Sequence, residues 1–326
     1  DTVLNSGFGA SESGSMNEKL ETKFAKLHNK KFAISANSGT STLHMALKAF
    51  GVGAGDEVII PALTVAMPGF AVWQCGAIPV FADVFKDTFL LNSNDVEKKI
   101  NSKTKAIMPV HMYGNMCDME SIMKLANTHN LFVLEDCAES LYASNDKGQK
   151  AGTIGHVGSW SFENSKHLST GDGGIVATDD EKLATIMRQF GGVGFKNITA
   201  KTGKVRISRD QFQDPKYERH NMFAYNYRLP ELCAAIGLAQ CERLSYFVEL
   251  RELMGQSYLN TINDSDLFLV QKTESGYRNT YWTFAARFLG NDYGISWYDF
   301  RKKYVENGGD GIYSAPQTIN NEPCFK

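Results

Sequence analysis

A chain of 326 residues with 43% hydrophobic and 21% charged residues can build a substantial core, which excludes a disordered polypeptide and leaves room for one large domain and a smaller one. A formal net charge of -2 without any Lys/Arg-rich run argues against nucleic acid as a partner. No stretch reaches the ~18 apolar residues that a membrane span needs, so a soluble chain without a membrane partner is expected.

In chain order, Leu20, Phe24 and Leu27 recur at helical spacing over Met16 to Leu27, and a strand-like run follows at residues 31–35. Ser38-Gly39-Thr40 opens a helix that runs to Gly51. Strands are expected at residues 58–60, 78–81, 106–110 and 131–134, with helices at 65–75, 94–100 and 118–129 between them. This alternation reads as a parallel α/β sheet, whose strand C-terminal edge is where ligands bind. Two further strands are read at 159–162 and 174–177, around a loop.

A helix starts after Pro230, and the chain changes character from about Leu244. There an amphipathic helix, a strand over 281–288 and a helix over 297–304 are expected, so the boundary is placed to give units 1–243 and 244–326. Six cysteines, at 75, 117, 137, 233, 241 and 324, form no C-x-x-C pair. Reduced thiols, a cytoplasmic location and no metal site are the expectation. The chain opens at Asp1 and closes on Pro323-Cys324-Phe325-Lys326, so segments are expected to be missing, including part of the smaller unit.

Three local features carry chemistry. Asn37-Ser38-Gly39-Thr40-Ser41-Thr42 is a small, hydroxylic turn into a helix; taken alone it reads first as an ordinary N-cap, and alternatively as a place for an anion held by free N–H groups. Leu131-Phe132-Val133-Leu134-Glu135-Asp136 is a buried run ending in two acids, which either cap a following element or face a ligand. In the third, Lys166 sits among Ser161, Ser165, Ser169 and Thr170 before Gly171-Asp172-Gly173-Gly174. A lysine shielded from water has a lowered pKa and forms imines.

The order of S-G-T, E-D-x-A and S-F-x-x-x-K-x-x-x-x-G-x-G-G resembles the DegT/DnrJ/EryC1/StrS family of PLP-dependent sugar aminotransferases. The resemblance runs on through Gly55-Asp56-Glu57-Val58-Ile59-Ile60-Pro61, Gly76-Ala77-Ile78-Pro79-Val80-Phe81 and Pro109-Val110-His111 to Tyr225-Asn226-Tyr227-Arg228-Leu229-Pro230-Glu231-Leu232. It implies an aspartate aminotransferase-like fold (PLP fold type I), with a mostly parallel central sheet in the large domain and a smaller C-terminal α+β domain. It also implies a homodimer with shared active sites.

By the same resemblance Lys166 forms the internal aldimine with pyridoxal 5'-phosphate and Asp136 pairs with the pyridine nitrogen. Gly39, Thr40 and Ser161 hold the phosphate, and Asn226 reaches the phosphate of the neighbouring subunit. An amino acid, L-glutamate, donates the amino group, leaving the pyridoxamine form to aminate a keto-sugar, expected to be a nucleotide-linked 4-keto-6-deoxy sugar.

Three positions depart from the family pattern. Val65 stands where many members stack an aromatic ring on the cofactor. Glu139 stands where many have a glutamine toward the phenolic oxygen, and an ionised carboxylate beside a phenolate is repulsive. His167 follows the lysine where asparagine is frequent; a dehydratase branch carries histidine at the lysine position itself, and the register of Ser161-Phe162 and Gly171-Asp172-Gly173-Gly174 keeps Lys166 there.

Alternative readings are an aminotransferase of a keto-cyclitol or other non-nucleotide ketone, and a non-catalytic PLP-binding regulatory protein. Arg206, Arg209, Lys216, Arg219 and His220, in segment 196–224, form either a cationic substrate surface or a solvated loop. A nicotinamide-dependent dehydrogenase is set aside: Gly7-Phe8-Gly9 precedes any strand, and Gly191-Gly192-Val193-Gly194 follows a helix.

Overall fold

The computed structural model describes residues 3–4, 15–203, 207–312 and 316–326. Gly7-Phe8-Gly9 and Arg206 lie outside the described residues. Seven strands form the main sheet: β1 (Phe32–Ala36), β2 (Glu57–Pro61), β3 (Ile78–Ala82), β4 (Thr104–Ile107), β5 (Phe132–Asp136), β6 (Val157–Ser161) and β7 (Gly174–Thr178). Their order is β1-β7-β6-β5-β4-β2-β3, with β7 antiparallel to both neighbours and every other pairing parallel. Such strands are buried on both faces, which is why Val58-Ile59-Ile60 and Ile175-Val176-Ala177 read as unbroken apolar runs.

The helices are α1 (Ser15–Leu27), α2 (Gly39–Ala49), α3 (Met67–Gln74), α4 (Ser93–Lys99), α5 (Met119–His129), α6 (Glu181–Gly191), α7 (Arg209–Gln213), α8 (Glu231–Ile262) and α9 (Trp297–Glu306). Polar side chains start several of them. Asp118 caps Ser121 N–H at α5, and Asp180 accepts from both Lys182 and Leu183 at α6. One core, with Leu20, Phe24, Trp160 and Phe162, lies on one side of the sheet; the other, with Met45, Leu47, Ile60 and Met108, lies on the opposite side.

Several elements differ from the sequence reading. The strand expected over 106–110 is regular only to Ile107, because Pro109 has no N–H to donate; Val110 still bridges Asp136 in parallel. The two helices expected after Pro230 and from 244 are one helix of 32 residues, with no proline or glycine break near position 244. Its distal half carries the following segment: Glu252 pairs with Arg278, Arg251 reaches Trp282, and Tyr258 stacks on Phe284 at 5.3 Å. Of residues 281–288 the strand keeps Ala286–Phe288, which pairs antiparallel with Phe268–Val270. Tyr281 cannot join it, since its φ of 45° lies in the left-handed region.

Residues 316–326 return to the large sheet. Ile319 N–H donates to Ala62 O at 2.9 Å, and Phe325 packs against Phe70, Trp73 and the edge-strand residue Phe81. A Cβ on Gly69 would come within 2.5 Å of the Phe325 ring, so glycine makes room for it.

Candidate active site

Gly39, Asp136, Glu139, Ser161 and Lys166 collect at the C-terminal edge of the parallel strands. Ser38 caps α2 through its Oγ, which accepts from Ser41 N–H at 3.1 Å. That is the ordinary N-cap reading, and it leaves the first-turn N–H groups of Gly39 and Thr40 without partners inside the helix. Gly39 lies directly against the end of β6: a Cβ there would be 2.8 Å from Ser161 Cβ. Gly174 makes the same allowance from β7, where a Cβ would meet Ser38 O at 2.7 Å. Small residues and a helix start thus form a cradle of anion-binding character.

Asp136 ends β5, almost fully buried. Its Oδ1 accepts from Ala138 N–H at 3.0 Å, in a turn and not at the start of a helix. Burial pushes its carboxyl above the usual range, opposed by the Ala138 N–H and the charge of Lys166. The neighbouring Glu135 faces elsewhere: it takes a hydrogen bond from His111 at 3.0 Å and from the N–H groups of Gly152, Ile154 and Gly155. Burial alone would raise its pKa; the hydrogen bonds and charge from His111, with these N–H groups, hold it below the usual range. His111, Glu135 and Cys137 bring three ligand atoms within 4.8 Å of one another. His111 Nδ1 is taken up by Cys117 N–H at 3.0 Å, so this cluster ties the β4 and β5 ends together as a hydrogen-bonded network.

Lys166 follows Ser161 along a tight loop, in which Glu163 N–H donates to Ser161 Oγ and Lys166 N–H to Glu163 O. The Lys166 Nζ lies 3.7 Å from Glu139 Oε1 and 3.9 Å from the centre of the Trp282 ring. Glu139 is buried, with Oε2 fixed by Tyr113 N–H at 2.9 Å, while Oε1 has no hydrogen-bond partner. Burial raises the Glu139 carboxyl to about 7, against the opposing pull of the Lys166 charge and the Tyr113 N–H.

His167 turns away from this group. Its Nε2 donates to Thr280 O at 2.9 Å, and burial lowers its pKa to about 4, so the ring is neutral. A cavity of about 740 Å³ opens beside Lys166, lined by Arg251, Tyr258, Tyr281, Trp282 and Phe284.

Val65 is 38% exposed in the turn between β2 and α3. Asn226 is exposed, and its backbone bridges to Gly192. Among the described residues, no hydrogen bond or ion pair joins either side chain to Lys166. In segment 196–224, Arg219 donates to Phe212 O and Tyr217 O, and His220 Nδ1 to Val193 O, while Arg209 and Lys216 are exposed. Local carbonyls therefore occupy part of the expected cationic surface.

Sequence reading missed Trp282, Arg251 and Tyr113. Trp282 was absorbed into an expected strand, and Arg251 sits in an ordinary helical pattern. Tyr113 acts through its backbone, with a φ of 67° that its side chain does not announce.

A pyridine-ring cofactor with a phosphate fits these residues. The cradle at Gly39 and Ser161, the buried acid of Asp136 and the partnerless oxygen of Glu139 beside a lysine are the groups it would occupy. The family model described as the DegT/DnrJ/EryC1/StrS aminotransferase family matches residues 1–292. GDP-perosamine synthase of Escherichia coli O157:H7 is 39% identical over 272 residues, covering 83% of this chain and 69% of that protein. The protein of the same name from Vibrio cholerae is 35% identical over 279 residues, covering 86% and 71%. The solved structure of S. venezuelae DesV in complex with a ketimine intermediate superposes with a TM-score of 0.85 at 30% identity, covering 99% of this chain and 80% of that one.

Proposed function

The chain belongs to the DegT/DnrJ/EryC1/StrS aminotransferase family and is a PLP-dependent aminotransferase, and from that premise we propose its substrates and the roles of its residues. The acceptor is a nucleotide-linked 4-keto-6-deoxy sugar, and the amino donor is L-glutamate. The relatives named GDP-perosamine synthase support a guanosine-diphosphate-linked acceptor. The observation that carries the reading is Lys166, whose Nζ faces the cavity between the Glu139 carboxyl and the Trp282 ring.

Bound pyridoxal 5'-phosphate supplies an electron sink for the Cα–H electrons of an amino acid. The chain's own residues do the remaining work. Gly39, Thr40 and Ser161 hold the phosphate, and Asp136 faces the ring nitrogen, where an ionised carboxylate retains a proton. Lys166, when released as an amine, removes the proton from the donor Cα and returns it on the far side of the transfer. Trp282 covers one face of the lysine amine.

Two copies of the chain complete the site, with Asn226 of one reaching the phosphate held by the other. Phe223, 84% exposed and packed edge-on against Tyr225, supports a partner surface next to Asn226. The large PLP-binding unit is taken as residues 1–243 and the smaller unit as 244–326, with α8 shared between them. A cytoplasmic setting agrees with six free cysteines. Among the described residues no helix is long and apolar enough to cross a membrane.

A second acceptor class has specific support. L-glutamine:2-deoxy-scyllo-inosose aminotransferase of Streptomyces kanamyceticus is 33% identical over 276 residues, which favours a keto-cyclitol and a glutamine donor as the alternative.

Absorption spectra of the protein with pyridoxal 5'-phosphate test the reading. A band near ~420 nm that L-glutamate bleaches, and that Lys166→Ala lacks, is expected of an imine-forming lysine. The pyridoxamine-loaded protein should then be oxidised by a GDP-linked 4-keto sugar and not by a keto-cyclitol. For the shared site, mixing Lys166→Ala with Asn226→Ala chains should restore activity, since one site of each mixed dimer keeps both residues. No recovery on mixing removes Asn226 from the site.

A further inference from the structure

We propose that Glu139 is the proton acceptor that converts the Lys166 ammonium into a nucleophilic amine when the cofactor aldehyde is taken up. This rests on the reading of Lys166 as the cofactor lysine. The argument starts from an oxygen that has no partner. Glu139 is buried; its Oε2 is pinned by Tyr113 N–H at 2.9 Å, and its Oε1 is left without a hydrogen bond, 3.7 Å from Lys166 Nζ. That separation makes an ion pair and not a hydrogen bond, so the proton is near the acceptor without being shared with it. A buried polar atom left unsatisfied is costly, and a role in proton transfer is one reason to keep it.

Three titratable groups face Glu139. Lys166 comes from the lysine loop, Asp136 from the end of β5 and Tyr113 from the turn after β4. Tyr113 does not compete: burial and the Glu139 charge push its hydroxyl to about 12, so it stays neutral. Asp136 is the other acid, but its Oδ1 is engaged with Ala138 N–H, and Lys166 forms its ion pair with Glu139. The Trp282 ring, centred 3.9 Å from Nζ, offers a π-face that favours the ammonium and no site for a proton to land.

The step balances. Lys166 gives one proton to the carboxylate, which becomes the neutral acid. The freed nitrogen lone pair bonds to the aldehyde carbon, and the aldehyde oxygen leaves as water with the two remaining nitrogen hydrogens. One positive and one negative charge disappear together from a buried place, where an unpaired carboxylate would be penalised. The neutral acid no longer repels an anionic oxygen brought in beside it. A glutamine at this position could accept a hydrogen bond but not the proton.

The test is stopped-flow mixing of cofactor-free protein with pyridoxal 5'-phosphate, following the imine band from pH 5.5 to 9. Lys166→Ala sets the background, and equilibrium binding of pyridoxamine 5'-phosphate, which has no aldehyde, is measured in parallel. In the native protein the rate should fall about tenfold per pH unit below about 7, where Glu139 already holds a proton. Glu139→Gln should bind the pyridoxamine form within about threefold of native, yet form the imine about 100-fold more slowly at pH 7, the scale of a lost general base. Its rate should keep climbing with pH as solvent takes the proton.

Should Glu139→Gln bind the amine form poorly, Glu139→Asp decides: it should keep the inflection near neutral pH at a reduced rate. An unchanged rate and pH profile in Glu139→Gln, or loss of the inflection in Glu139→Asp, overturns the proposal. If native protein binds neither cofactor form, the reading of the site itself has failed, and the proposal falls with it. If it binds the amine form but Lys166→Ala gives the full imine band, the lysine assignment is what has failed.

Discussion

The indole N–H of Trp282 donates to the main-chain oxygen of Ser165 at 3.1 Å, one residue before Lys166. Arg251 braces the same point, with one guanidinium nitrogen on Ser165 O and another on Trp282 O. The lysine loop, which belongs to the large sheet by sequence, is therefore held in place from the distal half of α8 and the chain beyond it.

Removing that brace should loosen the loop that carries the lysine. Arg251→Ala leaves the Trp282 carbonyl without this donor and should cost about 2 kcal/mol of stability, the scale of a charge-assisted hydrogen bond. Imine formation with pyridoxal 5'-phosphate should slow as well. Arg251→Lys should recover less than half of either effect, because one ammonium cannot span both carbonyls as a planar fork does. Urea unfolding and borohydride trapping of the imine would measure the two.

A single methyl group at Gly39 should damage the cradle. The added Cβ would lie 2.8 Å from Ser161 Cβ, a separation that forces either β6 or the start of α2 to move. Gly39→Ala is expected to weaken pyridoxal 5'-phosphate binding at least about tenfold, through displaced N–H donors at the helix start. The same clash with the end of β6 should also lower the unfolding midpoint, although the N-cap at Ser38 is retained. Fluorescence titration against calorimetry separates these outcomes; equal affinity would remove Gly39 from the phosphate site.

The acid limb of the stability profile should depend on a histidine far from the chemistry. His28 is stacked on Phe24 at 4.2 Å and packed against Trp160 at 4.8 Å. Burial is the main reason its pKa falls to about 3; its Nδ1–H donates to Phe24 O, while Nε2 has no partner. With the folded value depressed, the unfolded chain takes up the proton first as pH falls below about 6.5. Stability is full above that pH and declines until about 3, by up to about 5 kcal/mol over the window. His28→Phe should flatten this decline. Urea midpoints at pH 7 and 4.5 should differ less in the variant than in the native chain; an equal difference would count against the assignment.

Much of the large sheet was legible because parallel strands buried on both faces leave unbroken apolar runs, as in Val58-Ile59-Ile60. The lysine loop stood out for a similar reason: Ser161, Lys166 and the glycines after it are close in sequence. Glu139 was visible as a position, but its orientation was not. The direction of Oε1 depends on Tyr113, whose backbone is turned by a positive φ into donating to Oε2. Arg251 and Trp282 act across 86 and 117 positions in chain number on Ser165, and no local pattern encodes such a distance. The single long helix was read as two because its apolar face changes partner midway, from α1 to the segment around Tyr281.

The seat of Phe325 on Gly69, Phe70, Trp73 and Phe81 bears on how the chain is made. This cage lies in the first quarter of the sequence, and its plug comes more than 240 residues later. Most of the sheet can assemble while the ribosome is still adding α8, but β3, at the sheet's edge, must wait with exposed rings until residues 316–326 emerge. Nascent chains stalled before residue 316 should therefore expose this edge to chaperones, and emergence of residues 316–326 should bury it in one late event.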